Sequence, residues 1–169
     1  MLSPETLTLA AVVAGTATGA VIDLRTGRVP NVLTASIACF GVALAAAGFG
    51  RNDVGAAVAG GGVGLMLMLP GYLFGATGGG DVKLVAAAGT LLGPFPTFWA
   101  VLFTLIAGAV IAVIVAACRK RVWLTVYRTA FLIQTAGLTA SEIETSDAGN
   151  RFAFAPAIAI GTMAAAVLV

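Results

Sequence analysis

The sequence predicts an all-α fold: a polytopic integral membrane protein of six transmembrane helices with one further helix lying in the interface. Three observations predict it. Only 9% of the 169 residues are charged and 60% are hydrophobic, where a soluble domain carries about a quarter charged residues. The mean hydropathy is +1.06. The apolar residues are also gathered into runs, at about 6–22, 31–49, 54–74, 82–93, 96–117 and 152–169, most of them near the ~17–25 residues that a spanning helix needs.

Each run has its own justification. The first follows Met1-Leu2-Ser3-Pro4-Glu5, with no basic residue ahead of it. A secretory signal would carry one, so the run is expected to be a retained span. Within it, Gly15-Thr16-Ala17-Thr18-Gly19 offers small residues for close helix packing. The second begins after Pro30-Asn31, with proline fixing the turn. The third ends at the glycine-rich stretch Gly75-Ala76-Thr77-Gly78-Gly79-Gly80. The fourth, 82–93, is short for a ~30 Å hydrocarbon layer at ~1.5 Å per residue, and Gly93-Pro94-Phe95-Pro96 closes it. It is either a short crossing or a re-entrant segment. The fifth opens on Phe95, Phe98 and Trp99, expected as an aromatic belt at the outer boundary. The last carries Pro156 near its start, which either kinks the span or marks the first turn.

Charge chooses between the readings of the fourth run. The chain has nine Lys and Arg. If all six runs cross, every one of these except Arg51 falls on one face: Arg25, Arg28, Lys83, Arg119, Lys120, Arg121, Arg128 and Arg151. A re-entrant fourth run would split Arg25 and Arg28 from the 119–121 cluster. The positive-inside rule therefore favours six crossings with both termini outside. The whole of 1–169 reads as one membrane-embedded domain with a cytoplasmic loop at about 119–151. In its first half Val122, Trp123, Val126, Tyr127, Ala130 and Ile133 recur near helical spacing, which suggests a helix lying in the interface. The second half, with Glu142, Glu144 and Asp147, reads as a solvated loop. The Arg119–Arg121 cluster is expected to fix topology and meet anionic lipid.

The chemistry available is narrow. There is no histidine, and Cys39 and Cys118 are far apart, so neither a zinc site nor a Ser-His or Cys-His nucleophile is expected. Carboxylates remain. Two crossings separate Asp23 from Asp81, so both belong to the same cytoplasmic edge. Two carboxyl groups side by side do not ionise together readily; they share a proton, and the pair can then activate water while polarising a carbonyl. Simpler roles exist for both. Asp23 stands beside Arg25 and Arg28 and reads equally as a surface charge, and Asp81 as an N-cap for a helix starting at Val82. Gly78, Gly79 and Gly80 would let an extended substrate pair with the backbone. Lys83 would bias the pair, hold a substrate carbonyl, or reach out to the interface.

Gly78-Gly79-Gly80-Asp81 matches the Gly-x-Gly-Asp signature of intramembrane aspartyl proteases, and the continuation Val82-Lys83-Leu84 resembles type IV prepilin peptidases. Asp23-Leu24-Arg25-Thr26-Gly27-Arg28-Val29-Pro30-Asn31 is similar to that family's first aspartate segment, and Phe154-Ala155-Pro156-Ala157 to its C-terminal Ala-Pro-Ala helix. The resemblance implies a bacterial inner-membrane aspartic endopeptidase, without metal or cofactor, in which Asp23 and Asp81 are catalytic and Gly78, Gly79, Gly80 and Lys83 line the substrate site. Its substrate would be a prepilin, whose basic leader is cut after a glycine on the cytoplasmic side. Partners would be the lipid bilayer and the pilus assembly machinery, and not nucleic acid. The cysteine-bearing domain of larger relatives is missing, as in the short form associated with tight-adherence (Flp) pili, so N-methylation is not expected. Two other classes fit the composition: a small proton- or cation-coupled carrier using the same acids, and a non-catalytic scaffold of pilus assembly.

Overall fold

The structure, a computed structural model, describes residues 3–118 and 154–169. Six helices occur among them, and no strand: α1 (Pro4–Thr26), α2 (Asn31–Ala46), α3 (Val54–Leu73), α4 (Gly79–Leu92), α5 (Pro94–Cys118) and α6 (Ala155–Leu168). Pro4–Thr26, Val54–Leu73 and Pro94–Val115 are long and apolar enough to cross a bilayer, and α2 and α6 are shorter apolar helices. The interfacial helix and the acidic loop expected within 119–151 lie outside the described residues, as do the Arg119–Arg121 cluster and Arg151.

The helix ends follow local chemistry. Ser3 caps α1 by accepting the Thr6 N–H at 3.2 Å, and Pro4 occupies the first turn, where its missing N–H costs nothing. At the other end Gly27 adopts a left-handed φ of 67° and its N–H closes on the Asp23 carbonyl at 2.7 Å. Glycine suits that conformation because it has no Cβ to clash. Asp53 caps α3 through the Ala56 N–H at 2.7 Å. Gly93, with φ 83°, stops α4 immediately before Pro94 starts α5.

Helix α4 is the axis of the bundle. Ten of its fourteen residues are buried, and α1, α2, α3, α5 and α6 all pack on it. Backbones approach closely where side chains are smallest. A Cβ at Gly60 of α3 would strike the backbone of Gly89 and Gly93, and one at Gly89 would strike Gly60 in return. Gly19 of α1 meets the Leu84 side chain, and Gly161 of α6 meets Thr104 of α5. Gly15 of the first run faces Ile37 of α2, so both glycines of that stretch lie at helix contacts. With apolar lipid outside and apolar core inside, such close packing is a main source of attraction between helices.

Several buried threonines satisfy their hydroxyls within their own helix, although that of Thr104 has no partner among the described residues. Thr16 returns its hydroxyl to the Val12 carbonyl at 2.7 Å, and Thr162 to that of Ile158 at 2.8 Å. The two hydroxyls meet at 3.4 Å where α1 passes α6.

Candidate active site

One end of the bundle gathers the last turn of α1, the Val29-Pro30-Asn31 corner, the first turn of α4 and the start of α6. Gly80 draws α4 into this corner: a Cβ there would stand 3.2 Å from the Val29 Cβ. Lys83 secures it from the other side, its Nζ donating to Asn31 Oδ1 at 2.9 Å. The other end of the bundle holds Ser3, Asp53 and Asn52, whose side-chain amide donates to the Leu91 carbonyl at 2.9 Å. A cavity of about 420 Å³ at that far end is bounded by Glu5, Arg51 and Leu92 and contains neither aspartate.

Asp23 and Asp81 are therefore brought to the same end, and both are buried, at 7% and 8% exposure. Burial weighs against the surface-charge reading of Asp23; its neighbours Arg25 and Arg28 are the exposed ones. Asp23 sits in the last turn of α1, and its Oδ2 accepts the Ala155 N–H at 3.3 Å, across 132 residues of sequence. Asp81 sits in the first turn of α4. Its Oδ2 reaches back to accept the Gly78 N–H at 3.2 Å, one half of a capping box that glycine, with no side chain, leaves unreciprocated. The cap position is Gly78 and the helix starts at Gly79, three residues earlier than a cap at Asp81 would place it.

Asp81 stands one residue outside the apolar run of α4 and outside the three long spans. Burial, and then the nearby charge of Asp23, push its carboxyl up to about 6, against the lowering effect of the Gly78 N–H. The two carboxyl groups are thus within electrostatic reach of each other. Each has one oxygen held by a backbone N–H, and the second lacks a protein donor among the described residues. Such a pair can hold a proton and a water between its members. No group of three or more His, Cys, Asp or Glu side chains gathers among the described residues.

The remaining candidates are placed less simply. Gly78 is exposed, whereas Gly79 and Gly80 are half-buried and helical. Their lack of a side chain serves packing, Gly79 against the Tyr72 ring and Gly80 against Val29. Ahead of them the chain turns, the Ala76 and Thr77 N–H groups closing on the Gly71 carbonyl at 2.8 and 3.1 Å, and only Gly78 is extended. Lys83 is exposed, but it is bonded to Asn31 rather than free in the interface. Pro156 lies in the first turn of α6, which is plain helix-start geometry rather than a kink. The contact that sequence reading missed is the Ala155 N–H. A main-chain donor has no residue signature, and only the proline after it marked a helix start.

The chain matches the model of the type IV leader peptidase family over residues 9–113, more than half its length and including both aspartates. No curated protein and no solved structure matches it. A helical chain with three long apolar spans, whose matched segment carries a buried carboxylate pair at one end, is a membrane peptidase by lineage: it belongs to the type IV leader peptidase family.

Proposed function

We propose that this peptidase is an aspartic endopeptidase that removes the short leader from prepilin-like substrates at the cytoplasmic face of the inner membrane, cutting after a glycine. The observation that carries this reading is the meeting of Asp23 and Asp81, both buried, at one end of the bundle. All six helices cross in this reading, which puts the pair at the cytoplasmic edge with Arg25, Arg28 and Lys83. A substrate helix lies in the bilayer and presents its scissile bond at that edge. The turn Gly75–Gly78, exposed except at the half-buried Thr77, is where a substrate peptide reaches the start of α4 past small side chains.

The reaction needs one proton on the pair. The ionised carboxylate takes a proton from the bound water as its oxygen bonds to the scissile carbonyl carbon. The protonated carboxyl gives its proton to the carbonyl oxygen. Collapse of the tetrahedral intermediate breaks the C–N bond: the proton gained from water passes to the leaving amine, and the proton on the former carbonyl oxygen returns to the carboxylate that gave it, restoring the singly protonated pair. No bond to the enzyme forms. Lys83, tied to Asn31, keeps the first turn of α4 against the Pro30 corner and so holds Asp81 in register.

The test is leader removal from a co-expressed or purified prepilin-type protein. Asp23→Asn and Asp81→Asn are each expected to abolish it while the protein remains in the membrane. Cleavage at the wild-type rate by either variant would overturn the assignment. A carrier would instead show aspartate-dependent transport without cleavage, and a scaffold would support assembly with either aspartate replaced.

A further inference from the structure

Resting on that reading, we propose that the first turn of α6 is a positioning element of the active site: the Ala155 N–H holds Asp23 and fixes it as the charged, water-activating member, leaving Asp81 to carry the proton. The geometry comes from a helix start with few free donors. Pro156 has no N–H, and the Ala157 and Ile158 N–H groups both turn back to the Phe154 carbonyl, at 3.0 and 3.3 Å. The Ala155 N–H is left pointing out of the turn, and the carboxylate it meets is Asp23 Oδ2. Ala155 is itself fully buried, so water does not compete for that donor. A backbone N–H at the positive end of a helix favours a negative acceptor, and this contact falls within the first turn, where the effect is concentrated.

Among the described residues, Asp81 is the charged group seen to act on Asp23. Helix α6 carries no Asp, Glu, Lys or Arg, and α2 carries none either. On α4 the charged groups are Asp81 and Lys83, the latter already bonded to Asn31. On α1 and its following turn, Arg25 and Arg28 are exposed. Asp81 is held differently. Its one backbone donor, Gly78, belongs to its own helix, and it faces the charge of Asp23. The two aspartates are therefore unequal before substrate arrives. The segment that makes them unequal comes from the far end of the chain, beyond the matched residues 9–113.

The test removes one atom's worth of hydrogen bonding. Incorporating lactic acid in place of Ala155 by nonsense suppression turns the amide into an ester and deletes the N–H while keeping the methyl group. The expected result is a fall in kcat on the order of tenfold, the size typical of a lost hydrogen bond to a charged group, with KM changed less than about twofold. Wild-type kcat, or a loss confined to KM, would overturn the proposal. A second measurement does not depend on cleavage. The amide proton of Ala155, labelled selectively with nitrogen-15 in the full chain, is expected downfield in the wild type, as for a donor to a carboxylate, and to move upfield in Asp23→Asn. An amide at the same position in both proteins would overturn the contact, even if the ester variant failed to fold. Loss of cleavage in every preparation alongside a normal Asp23-dependent amide response would instead count against the peptidase reading alone.

Discussion

Helices α4 and α5 adjoin at a single Gly93-Pro94 joint and differ in nearly everything else. Helix α5 is the most apolar span of the chain, and much of its surface is open: Leu105, Ile106, Val110, Val113 and Ile114 are all exposed. Helix α4 is about 21 Å long at ~1.5 Å per residue, carries Asp81 and Lys83, and is buried on nearly every side. Hydropathy ranks them in the opposite order to their structural weight. It reports how well a helix suits lipid, and a helix wrapped by five others meets little lipid. The buried one is free to carry a carboxylate in its first turn, because its surroundings are protein and the bundle end. The difference teaches where function can sit in a membrane protein: on the helix that its neighbours shield.

The sharpest break of this comparison is at the acid itself. Asp81→Asn is expected to lower leader cleavage by at least ~10²–10⁴-fold, the range for losing a positioned acid or base, while thermal unfolding of the protein stays close to wild type. A substitution of equal size on α5 that leaves the span apolar, Ile106→Leu, is expected to leave cleavage unchanged.

Next comes packing. Leu84 is fully buried on α4 and Ile106 is 57% exposed on α5. Leu84→Ala is expected to destabilise by about 2–5 kcal/mol and Ile106→Ala by well under half of that, measured by unfolding in detergent. Equal effects would mean that α4 is not the core. The crossing of α3 with α4 sharpens the same point. Gly60→Ala forces a methyl group into the Gly89 backbone, whereas Gly62→Ala, two residues on, meets nothing within 4 Å. The first is expected to cost about 1–3 kcal/mol or more, and the second to fall within about 1 kcal/mol of neutral.

The smallest expected effect is at the far end of α4. Asn52→Ala removes the bond to the Leu91 carbonyl and is expected to cost about 1 kcal/mol, with leader cleavage retained, since the aspartates occupy the other end. Loss of cleavage comparable to Asp81→Asn would show that the two ends are coupled more tightly than simple packing provides.

These contrasts also mark what was legible in the sequence. The three long spans could be read from run length alone, because a helix facing lipid must be apolar for its full length. Counting crossings predicts one edge for Asp23 and Asp81, and the structure brings them to one end of the bundle. The start of α4 was not legible. Gly78-Gly79-Gly80 has the composition of a loop, yet the Asp81 carboxylate folds back on the Gly78 N–H and draws Gly79 and Gly80 into the first turn. The glycines are there for the closeness of Tyr72 and Val29, which no local pattern encodes. The Lys83–Asn31 and Ala155–Asp23 contacts were equally hidden, since each joins residues that only the tertiary fold makes neighbours.

Activity should depend on pH in one direction above neutrality. With its carboxyl raised to about 6, Asp81 loses its proton as pH climbs past that value, and a pair with no proton to give cannot polarise the carbonyl. Cleavage is expected to decline about tenfold per pH unit on the alkaline side once deprotonation dominates.

The most direct measurement is the titration of Asp81 itself, followed through a carbon-13-labelled carboxyl group in the wild-type protein and in Asp23→Asn. The expected midpoint is near 6 in the wild type and lower in the variant, because the charge that helps to hold the proton on Asp81 has gone. A midpoint that is the same in both proteins would mean that the two acids do not sense each other, and a pair that shares a proton would not exist.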